Sequence, residues 1–382
     1  MNEFISIIEH RREEFKSILD PNAIPNEIEI KLSNQLHWHW HNLPIANTVY
    51  CREFSIDSSS AARTLANGID LFIIRALLLG SDGTEFKQLK FELLKGIRDP
   101  TTASTFERVL RDLIEIEIVI NNSDHLEEGF VMIDGNLYGR FTHMLQQLRL
   151  KGWETLPLQL LAAMLKLFDL CLEKKITLIG VSKFSKTRVL CSAMLSKLRI
   201  PVRDPDFMDV ALLNRWKHGE EGFTTPLLLG EYAFVDEVRA MHDEPDKYRK
   251  RFFGSIPQEQ QDWGTEIIKQ VPLAPAIIMF HLIPSKNEQP LRIDIPASCL
   301  GLNDKIMDVS PYRFVKPKLV EPIVQQLTAA WGGTDVYNAL LYVVDKEVRL
   351  ESATMDKVYR SVLAREFGTP IDYDRNTRRF FS

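Results

Sequence analysis

Apolar and polar positions alternate along YCREFSID (50–57), and the apolar run IDLFIIRALLLG (69–80) follows the small-residue segment SSSAARTLANG, so two strands flanking a polar turn are predicted. From Phe106 to Ile120 the apolar residues recur at helical spacing. The run FVMIDG then predicts a buried strand ending at Asp134. A long helix from Glu154 to Lys174 precedes the strand ITLIGV (176–181), which feeds a helix containing Lys186 to Leu198. Downstream, AIIMFHLI (276–283), PLRIDIPA (290–297) and ALLYVVD (339–345) predict further strands. Helices are expected between Asp304 and Ala330 and from Thr354 to Phe367. An opening hairpin followed by crossovers predicts an α/β fold with a mixed sheet flanked by helices. Ligand sites in such sheets lie at the carboxyl ends of strands.

The first twenty residues carry Phe4, Ile5, Ile8, Phe15, Ile18 and Leu19 among charges, a helix stripe and not a signal-peptide core. The apolar stretch from Leu156 to Leu172 is broken by Lys166 and Asp169, whereas a membrane span needs ~20 nearly uninterrupted apolar residues. A soluble, cytoplasmic protein is expected. There is no internal repeat, and the polar stretches HDEPDK (242–247) and SKNEQP (285–290) are the nearest things to linkers, so the 382 residues read as one elaborated domain. With 45% hydrophobic and 26% charged residues, disorder and collagen are excluded. The 47 Lys and Arg against 52 Asp and Glu leave a net charge of -5, so a nucleic-acid partner must be held by a local basic patch or by bound cations. Cys51, Cys171, Cys191 and Cys299 show no C-x-x-C spacing, which argues against a zinc ribbon or a disulfide framework and fits a reducing compartment.

Three carboxylates each terminate an apolar run: Asp57, Asp134 and Asp345. An ionised carboxylate beside a core is paired, exposed at a turn, or bound to a cation. The turn reading suits Asp134-Gly135 well. On a wheel at ~100° per residue, Phe106, Leu110, Leu113, Glu117 and Ile120 share one stripe, so Glu117 is expected to point at the strand ends. Glu115 lies with Arg108, Arg111 and Asp112 on the face assigned to solvent. A cluster of Asp57, Glu117, Asp134 and Asp345 would be an all-oxygen site for Mg²⁺ or Mn²⁺. Two such ions ~4 Å apart can activate a water against a phosphodiester.

The segment GVSKFSKTRVL (180–190) offers Lys183, Lys186 and Arg188 at the start of a helix, where a DNA phosphate could be received. It lacks the G-x-x-x-x-G-K-[ST] pattern of a nucleotide loop. Basic clusters at KYRKR (247–251) and at Arg378 and Arg379, near Phe380 and Phe381, could track a backbone or form solvated faces. The run HWHWH (37–41) is read as packing, not as a metal site. Neither H-E-x-x-H nor G-x-S-x-G occurs.

The ordered set FSIDSSSAARTLANGIDLFIIRALLL, a helical Glu, MIDGNL and GVSKFS resembles the NurA nucleases over roughly 50–350. The resemblance implies an RNase H-like core related to that of PIWI domains, Mn²⁺-dependent cleavage of DNA ends and single strands, a homodimer, and partnership with a HerA-type hexameric ATPase. It places the family's site residues on Asp57, Glu117, Asp134 and Lys183, with Asp345 as the last ligand, and aligns RIDIP around Asp294 with a late family strand. Ser58 stands where the family pattern D-G-S has Gly, and the late G-Y-P stretch reads DVYN here, with Tyr337 and Asn338. The implied organisation is a helical extension (1–45), a nuclease domain with insertions (46–352) and a C-terminal helix and tail (353–382).

Two functions follow as expectations. One is a Mn²⁺- or Mg²⁺-dependent deoxyribonuclease in DNA end processing, repair or defence against foreign DNA. The other is a catalytically inactive DNA-binding adaptor of a motor ATPase.

Overall fold

The computed structural model describes residues 2–19, 26–45, 51–97, 99–141, 148–200, 208–217, 220–230, 243–244, 256–333, 336–368 and 371. One end of its sheet is an antiparallel meander of β2 (Glu53–Thr64), β3 (Ile69–Gly80) and β4 (Glu85–Lys95). Both turns follow from their residues: Gly68 (φ +76°) and Gly83 (φ +84°) adopt left-handed backbone, and Asp82 Oδ1 accepts the Thr84 N–H at 2.9 Å. The chain then enters helix α4 (Pro100–Asn121), started by Asp99, whose carboxylate accepts Thr101 N–H at 2.9 Å and Thr102 N–H at 3.0 Å, with Pro100 in the first turn.

After α4, strand β5 (Phe130–Asp134) lies parallel to β2; after the short α5 (Leu137–Arg140), helix α6 (Leu156–Glu173) carries the chain to β6 (Thr177–Ser182), parallel to β5. The order β4-β3-β2-β5-β6, three antiparallel strands followed by two parallel ones, is the mixed α/β, RNase H-like core expected above. β10 (Leu291–Pro296) and β9 (Ile277–Ile283) extend the sheet antiparallel beyond β6. The far edge is completed by β1 (Trp40–His41), β7 (Gly222–Thr224), β8 (Leu227–Leu229) and β11 (Tyr312–Phe314).

One core layer joins α4 and α6 to the sheet through Phe106, Leu110, Ile114, Leu161, Met164, Phe168, Phe72 and Ile74. The other face is covered by Ile323, Val324, Leu327 and Leu341 against Val181, Phe280 and Ile293. Full burial of each such side chain contributes about 1.5–3 kcal/mol. At the amino end, α1 (Asn2–His10) and α2 (Arg12–Leu19) leave Phe4, Ile5, Ile7 and Ile8 exposed, whereas α3 (Asn26–Trp38) buries Leu32 and Leu36. None of the four cysteines is in a disulfide, and no described helix is long and apolar enough to cross a membrane.

Several elements differ from the sequence expectation. SSSAART is not part of the turn but the second half of β2: small side chains are needed there because hydrogen-bonding neighbours pack on both faces. The Ser60 hydroxyl bonds Glu107 of α4, and Ser59 Oγ accepts the Leu350 N–H at 2.9 Å. ALLYVVD is helical (Ala339–Val348), not a strand. Asn338 caps it by accepting the Leu341 N–H at 3.0 Å, and Leu341, Val344 and Val348 form its buried stripe. The helix after β6, α7 (Val189–Lys197), begins later than expected and leaves Lys186 and Arg188 in the preceding loop. β4 was not anticipated; its Lys- and Glu-rich run suits a sheet edge.

Candidate active site

Asp57 lies in the middle of β2, yet at the point where the sheet opens. The parallel ladder to β5 ends at the pair Ile56 and Ile133, so Asp57 is the first β2 residue without a β5 partner. On the neighbouring strands, Asp134 closes β5 opposite Val181 of β6. Gly135 (φ +106°) turns the chain away, and its carbonyl lies 2.7 Å from where a Cβ on residue 180 would stand, so only Gly180 permits this approach.

Two cavities meet at Asp134. The smaller, about 180 Å³, is lined by Asp57, Arg108, Arg111, Asp112, Glu115, Asp134 and Arg140. The larger, about 480 Å³, runs from Asp134 and Asn136 along Ser182 to Lys186. Tyr337 donates its hydroxyl to Asp134 Oδ2 at 3.2 Å, and the Lys183 ammonium stands 3.9 Å from the same oxygen and 3.5 Å from the centre of the Tyr337 ring. Asp345 is exposed on its helix, not at a strand end; its charge still reaches Asp134 and Tyr337.

Glu117 does not join these groups. Its carboxylate pairs with Lys90 of β4 at 2.7 Å and accepts Gln88 at 3.2 Å, on the far side of the meander. The helical carboxylate at the cavity is Glu115: Oε1 accepts Ser58 Oγ at 2.6 Å and Oε2 receives Arg140 Nη2 at 2.8 Å. The wheel placed Glu115 in solvent because it assumed one buried stripe. α4 is buried on several sides, by the sheet and by α6, and the face of Arg108, Arg111 and Glu115 borders the cavity.

Burial, and then the charges of Glu115 and Asp134, push the Asp57 carboxyl up to about 7 against the pull of the Ser58 N–H and Arg111. Burial also raises Asp134, offset by Lys183 and the Tyr337 hydroxyl. Glu115 is raised by burial and drawn back by Arg140, which also bonds Asp112 at 3.1 Å. The Arg140 guanidinium, itself buried, is held firmly charged by these acids. Arg111 approaches Asp57 at 3.9 Å while donating to Ser58 Oγ at 3.1 Å.

The donor chemistry suits a hard cation: Asp57 and Asp134 are oxygen ligands in one cavity, and their mutual repulsion is what a divalent ion would relieve. Among the described residues, however, no three His, Cys, Asp or Glu side chains are gathered closely enough to form a ready coordination sphere. A cation would have to draw Asp57, Asp134 and Glu115 together and compete with Arg140.

The loop between β6 and α7 brings Lys183 and Lys186 to the larger cavity, while Arg188 is not among its lining residues. The expected helix-terminal phosphate site is already filled. Asp209, the first residue of α8 (Asp209–Trp216), accepts the N–H groups of Leu190 at 3.1 Å and Cys191 at 2.9 Å. Asp294 is likewise internal, fully buried and paired with Arg292 at 2.8 Å while accepting the Tyr138 N–H at 3.1 Å. In HWHWH, His39 stacks on Phe314 at 4.2 Å and His41 Nε2 meets Thr225 Oγ1 at 2.7 Å, both packing contacts. The clusters at 247–251 and 378–381 lie outside the described residues.

A family profile described as NurA domain matches residues 51–350. The crystal structure of the NurA nuclease from Sulfolobus solfataricus superposes with a TM-score of 0.61 at 14% identity, covering 96% of this chain and 97% of that one. A crystal structure of NurA bound to dAMP and manganese gives 0.58 at 13% identity, covering 93% and 96%. Another of NurA with manganese gives 0.54 at 12%, covering 95% and 98%. At these identities the likeness speaks for the fold. No curated protein matches the chain.

Proposed function

Because this chain belongs to the NurA family, we propose that it is a nuclease that hydrolyses DNA phosphodiester bonds with the help of Mn²⁺ or Mg²⁺. The observation that carries the reading is the meeting of Asp57, Glu115 and Asp134 at one cavity, with Lys183 beside Asp134. When bound there, a divalent ion supplies acidity to a water and charge stabilisation to the phosphodiester oxygens. Asp57 and Asp134 would hold it, with Glu115 as the third oxygen donor. Tyr337 fixes the Asp134 carboxylate through its hydroxyl and supports Lys183 with its ring. Lys183 is placed to neutralise charge on a phosphate, and Lys186 to hold the adjoining one. Arg140 pairs with Glu115 and counters part of the cost of ionising a buried carboxyl. Asp345 adds negative charge at the rim; a direct ligand role requires it to move inward.

The partnership with a HerA-type ATPase, the homodimer, the cytoplasmic location and a role in end resection or antiviral defence belong to the same proposal. The exposed Phe4, Ile5, Ile7 and Ile8 of α1 support a protein contact. Cleavage of end-labelled single-stranded and blunt duplex DNA with Mn²⁺ tests the chemistry. Wild type is expected to cleave and Asp57→Asn to lose at least about 100-fold; equal rates would reject the assignment.

The Arg140 to Glu115 ion pair favours one second reading, a non-catalytic adaptor whose acids are neutralised internally. Calorimetric titration with Mn²⁺ separates the two, since binding abolished by Asp134→Ala belongs to the nuclease and no heat of binding belongs to the adaptor.

A further inference from the structure

Among the residues that line the cavity beside Asp134, Phe184 has no part in the chemistry just proposed. Its side chain is 78% exposed, and its backbone adopts φ +50°, a region that bulky residues rarely occupy. Both features oppose folding: an aromatic ring gains by burial, and Gly or Asn would hold that backbone with less strain. The loop that presents it is tied at each end. Ser182 closes β6 opposite Arg292, and the Asp209 N–H donates to the Thr187 carbonyl at 2.9 Å while the Asp209 carboxylate holds the start of α7. Lys183 and Lys186 line the same cavity.

An exposed aromatic ring and two lysines lining one cavity with Asp134 match the chemistry of a nucleotide, which joins a planar base to an anionic phosphate. We infer that Phe184 is a stacking platform for one base of a single-stranded or frayed DNA end whose phosphates are held by Lys183 and Lys186. The inference rests on the nuclease reading and extends it to substrate choice. Stacking on an aromatic side chain tolerates any base, whereas bases inside a duplex already stack on each other. Phe184 therefore favours single strands without reading sequence.

The test uses the full chain with short single-stranded oligodeoxynucleotides carrying 2-aminopurine at successive positions, with Ca²⁺ in place of Mn²⁺, and a matching blunt duplex. Wild type is expected to change the fluorescence at one or two adjacent positions. Phe184→Asn, which suits the backbone but lacks the ring, is expected to lose that signal and bind single strands about 5-fold to 100-fold more weakly, with duplex binding nearly unchanged. Its thermal midpoint should equal or exceed that of wild type, and Phe184→Trp should retain the signal. If Phe184→Asn binds and reports as wild type does while wild type cleaves DNA with Mn²⁺, the stacking inference is overturned and the nuclease reading stands. If wild type neither binds nor cleaves DNA, both fall.

Discussion

Glu115 accepts a 2.6 Å hydrogen bond from Ser58, and this contact joins the polar side of α4 to the β2 residue that follows Asp57. Glu117, two positions later, instead meets β4 through Lys90. The two glutamates should therefore respond differently to removal of charge. Glu115→Gln is expected to reduce Mn²⁺-dependent cleavage by at least about 100-fold, whereas Glu117→Gln, which breaks a half-exposed ion pair, should stay within about threefold and cost about 0–1 kcal/mol of stability. Parallel rate measurements and urea unfolding check both.

Asp57 gives the site a pH dependence. Its folded carboxyl titrates at about 7, above the ordinary value of 3.8, so the folded chain binds this proton more tightly than the unfolded chain. The stability carried by the neutral form is present at low pH and is lost as pH rises from about 4 to about 7. In metal-free protein near pH 8, Asp57→Asn should be more stable than wild type by about 1–3 kcal/mol, a difference that vanishes below about pH 4. A cation needs the ionised form, so Mn²⁺ affinity should rise about tenfold per pH unit below 7 and level off above it.

Tyr337→Phe removes the hydroxyl that stabilises ionised Asp134 but keeps the ring beneath Lys183. Asp134 should then protonate more readily. The acidic limb of the rate profile is expected to move to higher pH, with rates near wild type on the alkaline side. A profile that falls uniformly at every pH would assign Tyr337 another role.

Asp209 lies away from the acidic cavity and governs the loop that carries Lys183. Asp209→Ala would leave the buried N–H groups of Leu190 and Cys191 without acceptors, at a cost of about 2–4 kcal/mol. Urea unfolding should show this loss, with weaker DNA binding from the displaced loop, and Asp209→Asn should recover part of both.

Asp57, Asp134 and Lys183 are legible in the sequence because each comes directly after a short apolar run, FSI, FVMI or ITLIGVS, where a charge stands out. Glu115 was not, since α4 is buried around most of its circumference and an apolar stripe cannot then tell which carboxylate faces a cavity. The available signal was its company: Arg108, Arg111, Asp112 and Glu115 form a charged stripe on a helix otherwise filled with core residues. Arg140 carried a fainter one, a cation in the apolar segment LYGRF. ALLYVVD is ambiguous because a six-residue apolar run fits strand or helix, and the capping Asn338 is the cue that decides it. β4 is not legible in the sequence because an edge strand rich in Lys and Glu lacks the apolar content of its neighbours, although Asp82-Gly83 marks the turn into it.

The most direct measurement is the anomalous scattering of manganese in crystals of this protein soaked with Mn²⁺. A peak at bonding distance from Asp57 and Asp134, with Glu115 drawn toward it from Arg140, is the expected result. A cavity with no peak at saturating Mn²⁺, or manganese bound at Glu117 and not at Asp57, would contradict the account.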